Sequence, residues 1–205
     1  MMRKLGLREG AFLVRVARKT IEHHLLGREL KLEFPPWCGE KRGVFVTLET
    51  YPEGELRGCI GYVEPLKPLK EAILECAVGA CHDPRFLPLD SSELNSVTVE
   101  VSVLTPLEKV EGKNQRARIE KIEEFKHGVL LSLGGRKAVF LPQVWEMLPR
   151  KEDFLTHLAL KAGLAPESWK SEECEIYRFE VQAWKERRPN GEIEEVKLGG
   201  AKWKR

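Results

Sequence analysis

Hydrophobic positions recur every three or four residues between 8 and 26. Phe12, Leu13, Val16, Ala17, Thr20, Ile21 and Leu25 share one face, which predicts an amphipathic helix ended by Gly27. A Pro35-Pro36 pair marks a loop. Segments 43–50 and 55–62 read as strands joined by the turn Tyr51-Pro52-Glu53-Gly54. A second helix is expected over 66–82, where Leu66, Leu69, Ala72, Ile73, Cys76, Ala77 and Ala80 share a face and Asp83-Pro84 stops the turn. Segment 96–104 alternates with period two: Val97, Val99, Val101 and Val103 face one way, Thr98, Glu100 and Ser102 the other. The polar stretch 105–118 reads as a loop. Segments 128–133 and 136–141 form a hairpin about Gly134-Gly135, 152–162 a helix ended by Gly163, and 174–184 a last strand. Hairpins outnumber crossovers, so the fold class is α+β, with a mainly antiparallel sheet flanked by helices.

Composition narrows the function classes. The 205 residues suit one domain, expected over 1–188 with room for two lobes, and a basic tail at 189–205. No apolar run approaches the ~18 residues of a membrane helix, and the N-terminal segment lacks the apolar stretch of a secretory signal. Five cysteines cannot all pair within the chain, so free thiols and a cytoplasmic location are expected. The net charge of +2 does not advertise a nucleic-acid binder. Asparagine and glutamine are scarce, while lysine, arginine and glutamate are abundant, a composition that suits a thermophilic source.

Candidate chemistry centres on Leu56-Arg57-Gly58-Cys59-Ile60-Gly61. In an extended strand Arg57 and Cys59 share a face, their Cα atoms roughly 7 Å apart. A guanidinium that close should favour thiolate over thiol and lower the cysteine below its usual ~8.5. Gly58 and Gly61 would let a ligand approach the strand. The same residues also fit a buried structural cysteine with glycines marking a bulge. Downstream, Cys81, His82 and Asp83 are splayed by ~100° steps and cannot form a triad. Asp83 could bond turn backbone with Arg85 paired to it, or His82 and Arg85 could reach the Cys59 site. Glu100 would be an Arg57 partner or a general base if its strand face lines that site, and of little consequence if the face is solvated. Gln143 follows a strand, where its amide could bind substrate. Metal-ligand spacings and nucleotide-binding motifs are missing, and His23-His24 are adjacent and splayed.

GVFVTL at 43–48, LRGCIG at 56–61, AxxACHDPRF at 77–86, VEVSVL at 99–104, FLPQV at 140–144 and FLxxLxLKAGL at 154–164 occur in an order that resembles the AMMECR domain family. The resemblance implies an α+β fold of two unequal lobes with a cleft near LRGCIG. Carried over by position, the site residues are Arg57, Gly58, Cys59, Gly61, His82, Asp83, Arg85, Glu100 and Gln143. No cofactor is implied. Association of microbial relatives with Memo-type and radical-SAM proteins makes such a pathway partner an expectation. Some relatives carry a cysteine where this chain has Ala159, so a two-cysteine mechanism does not transfer.

Together these readings lead to an enzyme acting on a small anionic substrate. Cys59 would be its nucleophile, Arg57 and Arg85 its anion contacts, and Glu100 would orient an arginine or move a proton. The alternatives are a non-catalytic binding module, a nucleic-acid-associated factor in transcription, repair or translation, and a purely structural role for Arg57 and Cys59.

Overall fold

The computed structural model describes residues 4–196. The chain divides into two units, a larger one of residues 4–104 and 182–196 and a smaller one of residues 105–181. The larger begins with α1 (Leu7–Leu25), β1 (Val44–Thr50), β2 (Leu56–Tyr62), α2 (Leu69–Cys81) and β3 (Val97–Leu104). The smaller contains β4 (Glu108–Lys109), α3 (Gln115–Ile119), β5 (Gly128–Leu133), β6 (Arg136–Phe140), α4 (Lys151–Lys161) and β7 (Glu175–Phe179). The chain then continues through β8 (Val181–Glu186) and β9 (Ile193–Val196).

Two sheets form, with orders β2-β1-β3-β8-β9 and β4-β7-β5-β6. The pairings of β1 with β2 and β3, of β8 with β9, and those within the smaller sheet are antiparallel. This is the expected α+β class. The segment expected as one strand over 174–184 is interrupted at Glu180, and its halves join different sheets. The Glu180 N–H donates to Thr105 Oγ1 at 2.8 Å and its carbonyl accepts from the Thr105 N–H at 2.9 Å. The polar stretch read as a loop contains β4 and α3, the latter capped by Asn114, whose side chain accepts from the Ala117 N–H at 2.9 Å. Leu66 lies outside α2, which starts after Pro68, and is exposed. Within the segment read as a tail, residues 193–196 pair with β8. Residues 197–205 lie outside the described residues.

One core gathers Leu13, Val14, Val16, Ala17 and Ile21 of α1, Ile73, Cys76 and Ala77 of α2, and the valines of β1 and β3. The smaller unit has its own core around Trp145, stacked on Phe154 at 3.7 Å. All eight residues of β3 are buried. The polar face carrying Thr98, Glu100 and Ser102 is therefore not the solvated surface that alternation alone allows.

Arg18, on the buried side of α1, meets Glu186 in β8 through paired contacts. It also donates to the carbonyls of Leu94 at 3.1 Å and Val97 at 2.7 Å. Glu186 accepts from the Val99 N–H at 3.1 Å. Breaking a buried ion pair strands the remaining charge, so Arg18→Ala should cost about 3–5 kcal/mol. The exposed Arg150→Ala should stay within about 0.5 kcal/mol of wild type. Denaturant unfolding of both variants checks the contrast.

Candidate functional site

The register of three strands builds the site. Thr47 stands opposite Cys59 on β2 and opposite Glu100 on β3, so the three side chains form a row on one sheet face. Phe45, Gly61 and Ser102 form the neighbouring row. The opposite face carries the valines that pack with the helices. Cys59 is half-buried, and the other four cysteines are buried and unpaired. The Thr47 hydroxyl donates to Cys59 Sγ at 3.3 Å.

Asp83 fixes the backbone at this row. Its buried carboxylate accepts from the Cys59 N–H at 2.8 Å and from the Arg85 N–H at 3.0 Å. The Arg85 guanidinium adds contacts of 3.0 and 2.6 Å, holding Asp83 well below the usual carboxylate range. Arg85 also donates to the Cys59 carbonyl at 3.4 Å. Its side chain remains 56% exposed, and Nη1 carries no hydrogen bond among the described residues. The turn role expected of Asp83 is present, and the bond to Cys59 ties it to the candidate nucleophile.

Arg57 corrects a central expectation. Leu48 pairs with Gly58 and Glu49 with Leu56, so a bulge leaves Arg57 without a cross-strand partner. A bulge re-aims a side chain. Here Arg57 is taken by Glu93, at 2.8 and 2.9 Å, and by the carbonyls of Leu87 at 3.0 Å and Pro88 at 3.5 Å. It therefore neither pairs with Glu100 nor activates Cys59. Burial pushes the Cys59 thiol up, against the lowering influences of the Thr47 hydrogen bond and the Arg85 charge, while Glu100 and Asp83 add to the rise. The expected lowering of this thiol is overturned.

The glycines serve packing. A Cβ on Gly58 would lie 2.2 Å from the Ala80 carbonyl oxygen of α2, and one on Gly61 would lie 2.2 Å from the Phe45 ring. Helix backbone and an aromatic ring take the space that the sequence left open for a ligand. His82 is exposed at the end of α2 and contacts His24. Gln143 belongs to the smaller unit, in the short helical turn Pro142–Glu146. Its buried Oε1 has no hydrogen-bond partner among the described residues.

Glu100 is buried and hydrogen-bonded by the Ser102 hydroxyl at 3.2 Å. Burial first, and then the charge of Glu49, push it up to about 7, with Lys185 and Ser102 opposing. Glu49 is also buried and raised by burial; its Oε2 lies 3.8 Å from Lys185 Nζ, and its Oε1 has no hydrogen-bond partner among the described residues. Sequence reasoning missed Thr47, Glu49, Glu93 and Lys185. Period-two alternation in GVFVTLET did carry a signal, since it sets Thr47 and Glu49 opposite the valines.

The chain matches the AMMECR1 family model over residues 14–184. It is 49% identical to protein MK0488 of Methanopyrus kandleri, covering 97% of this chain and 98% of that one. It is 46% identical to protein MJ0810 of Methanocaldococcus jannaschii, covering 96% and 100%. A crystal structure titled as the uncharacterized protein PH0010 from Pyrococcus horikoshii superposes with a TM-score of 0.88 at 39% identity, over 96% of this chain and 100% of that one. The thermophilic archaeal relatives agree with the composition. Among the described residues, no helix is long and apolar enough to cross a membrane.

A carboxylate with a depressed folded value contributes stability above its unfolded value and loses it as pH falls through the folded value. Asp83→Asn should therefore cost about 1–3 kcal/mol at pH 7. The gap to wild type should close as pH falls well below ~3.9. Thermal unfolding of both proteins from neutral to acid pH measures it.

Proposed function

The chain belongs to the AMMECR1 family, and we propose that it is an enzyme acting through Cys59 on a small substrate bearing an anionic group. The observation that carries this reading is the row Cys59–Thr47–Glu100, whose carboxylate is buried and pushed up to about 7 by that burial and by Glu49. Strongly raised carboxylates are concentrated at sites of proton transfer. The Cys59 thiol is protonated at neutral pH because burial disfavours its anion. It therefore needs a base when it attacks.

Opposed Cβ atoms in a sheet lie about 5 Å apart, so Cys59 and Glu100 are separated by roughly twice that across Thr47. A substrate lying over Thr47 touches both. As Sγ bonds to an electrophilic carbon, the thiol proton is carried by water lying over Thr47 to Glu100, and it returns by the same route to the departing group. The outer edge of Arg85 holds the anionic group, the role left to it by the engagement of Arg57 with Glu93. A cytoplasmic location belongs to the same proposal, supported by five unpaired cysteines.

The test is conversion of a mixture of small carboxylated and phosphorylated compounds, followed by mass spectrometry. Cys59→Ala should lower conversion by about 100-fold or more. Wild type should show a rate that rises with pH through about 7 as Glu100 ionises, and Glu100→Gln should remove that limb. Conversion by Cys59→Ala at the wild-type rate would overturn the proposal.

A further inference from the structure

The geometry points to a two-histidine site for a divalent transition-metal ion, formed by His24 and His82. His24 lies in the last turn of α1, and His82 is the residue that ends α2. The side chains are 58 positions apart in sequence, yet their Nε2 atoms lie 2.8 Å from each other. The ring planes are nearly perpendicular, at 85°, with centroids 5.1 Å apart. Both residues are exposed, so an ion can reach them from solvent.

Three physical arguments favour an ion here. The first is distance. With metal–nitrogen bonds of ~2.0–2.1 Å, two imidazole nitrogens on one ion are separated by about 2.9 Å at a right angle and about 3.3 Å at a tetrahedral angle. The observed 2.8 Å needs an opening of only a few tenths of an ångström, which exposed side chains supply by small torsional changes. The second is charge. The pair sits at the C-terminal ends of two helices of 19 and 13 residues, where the unsatisfied carbonyls favour a cation. The third is ligand type. Neutral imidazole suits nickel, copper and zinc, and hard cations such as magnesium much less.

In the metal-free pair, one Nε2–H donates to the other Nε2. Binding at both Nε2 atoms moves the donating ring's proton to its Nδ1, so each neutral ring carries one Nδ1–H and no net proton is released. No group of three or more histidine, cysteine or acidic side chains placed to hold a metal ion exists among the described residues. Water or an added ligand therefore completes the coordination, as in open rather than structural sites. An ion bridging the pair ties the end of α1 to the end of α2, next in sequence to Asp83. This inference stands apart from the proposed chemistry at Cys59.

The experiment is calorimetric titration of tag-free full-length protein with nickel chloride and with zinc chloride, together with histidine imidazole NMR spectra. The expected result is one ion per chain and shifts at His24 and His82. His24→Ala and His82→Ala should each weaken binding by more than about tenfold, since each removes one of two ligands. His23→Ala and His157→Ala should bind as wild type does. No saturable binding at millimolar metal would overturn the assignment. So would binding that survives both the His24 and the His82 substitutions unchanged.

Discussion

The Asp83 carboxylate is the contact on which the candidate site depends. It sits just beyond α2 and receives the Cys59 N–H of β2, so one side chain closes the helix end onto the strand that carries the thiol. Hydrogen bonds to a charged acceptor contribute about 1.5–3 kcal/mol each, and burial without them would be unfavourable by more than that. Arg85 supplies the compensating charge and two further bonds, so the carboxylate stays ionised although almost fully shielded from water. Gly58 makes the same closure sterically possible, because any side chain there would meet the Ala80 carbonyl. The LRGCIG and HDPRF motifs are two halves of one joint.

The larger sheet divides its labour by face. One face of β1 and β3 is built of valine and leucine and meets the helices. The other places a thiol, three hydroxyls and two carboxylates in neighbouring rows. Burying Glu49 and Glu100 together opposes folding, since both are deprived of water and the Glu49 charge further disfavours ionisation of Glu100. Lys185 relieves only part of that penalty, at 3.8 Å from Glu49. A structural strand would be more stable with apolar residues there. Retaining titratable groups at such a position is the physical argument for chemistry.

The fold was largely legible because periodicity reports which face of an element is buried, and both hairpins and the main helices follow it. What the sequence could not show were contacts made at long range. Alternation placed Arg57 beside Cys59, but a one-residue bulge sent it to Glu93, 36 positions away. Spacing split His23 from His24 correctly, yet gave no hint that His82 meets His24. No glycine or proline marks the break at Glu180, and each half of 174–184 is a good strand by itself. Glu100 was identified by its place in a valine-rich strand, while its raised pKa required knowing that Glu49 is its neighbour and that water is excluded. The resemblance to the AMMECR family located the site motifs but could not distribute roles among them.

The central claim is that Cys59 is an accessible but unactivated thiol, coupled across Thr47 to Glu100. Alkylation of the native protein across pH 5–10, read cysteine by cysteine by mass spectrometry, tests it most directly in wild type and in Glu100→Gln. Cys59 should label ahead of the four buried cysteines, with a midpoint above the ordinary thiol value of ~8.5. Loss of the Glu100 charge should move that midpoint down, because the carboxylate disfavours the thiolate. Labelling only after denaturation, a wild-type midpoint below ~8.5, or a midpoint indifferent to the Glu100 substitution would contradict the account.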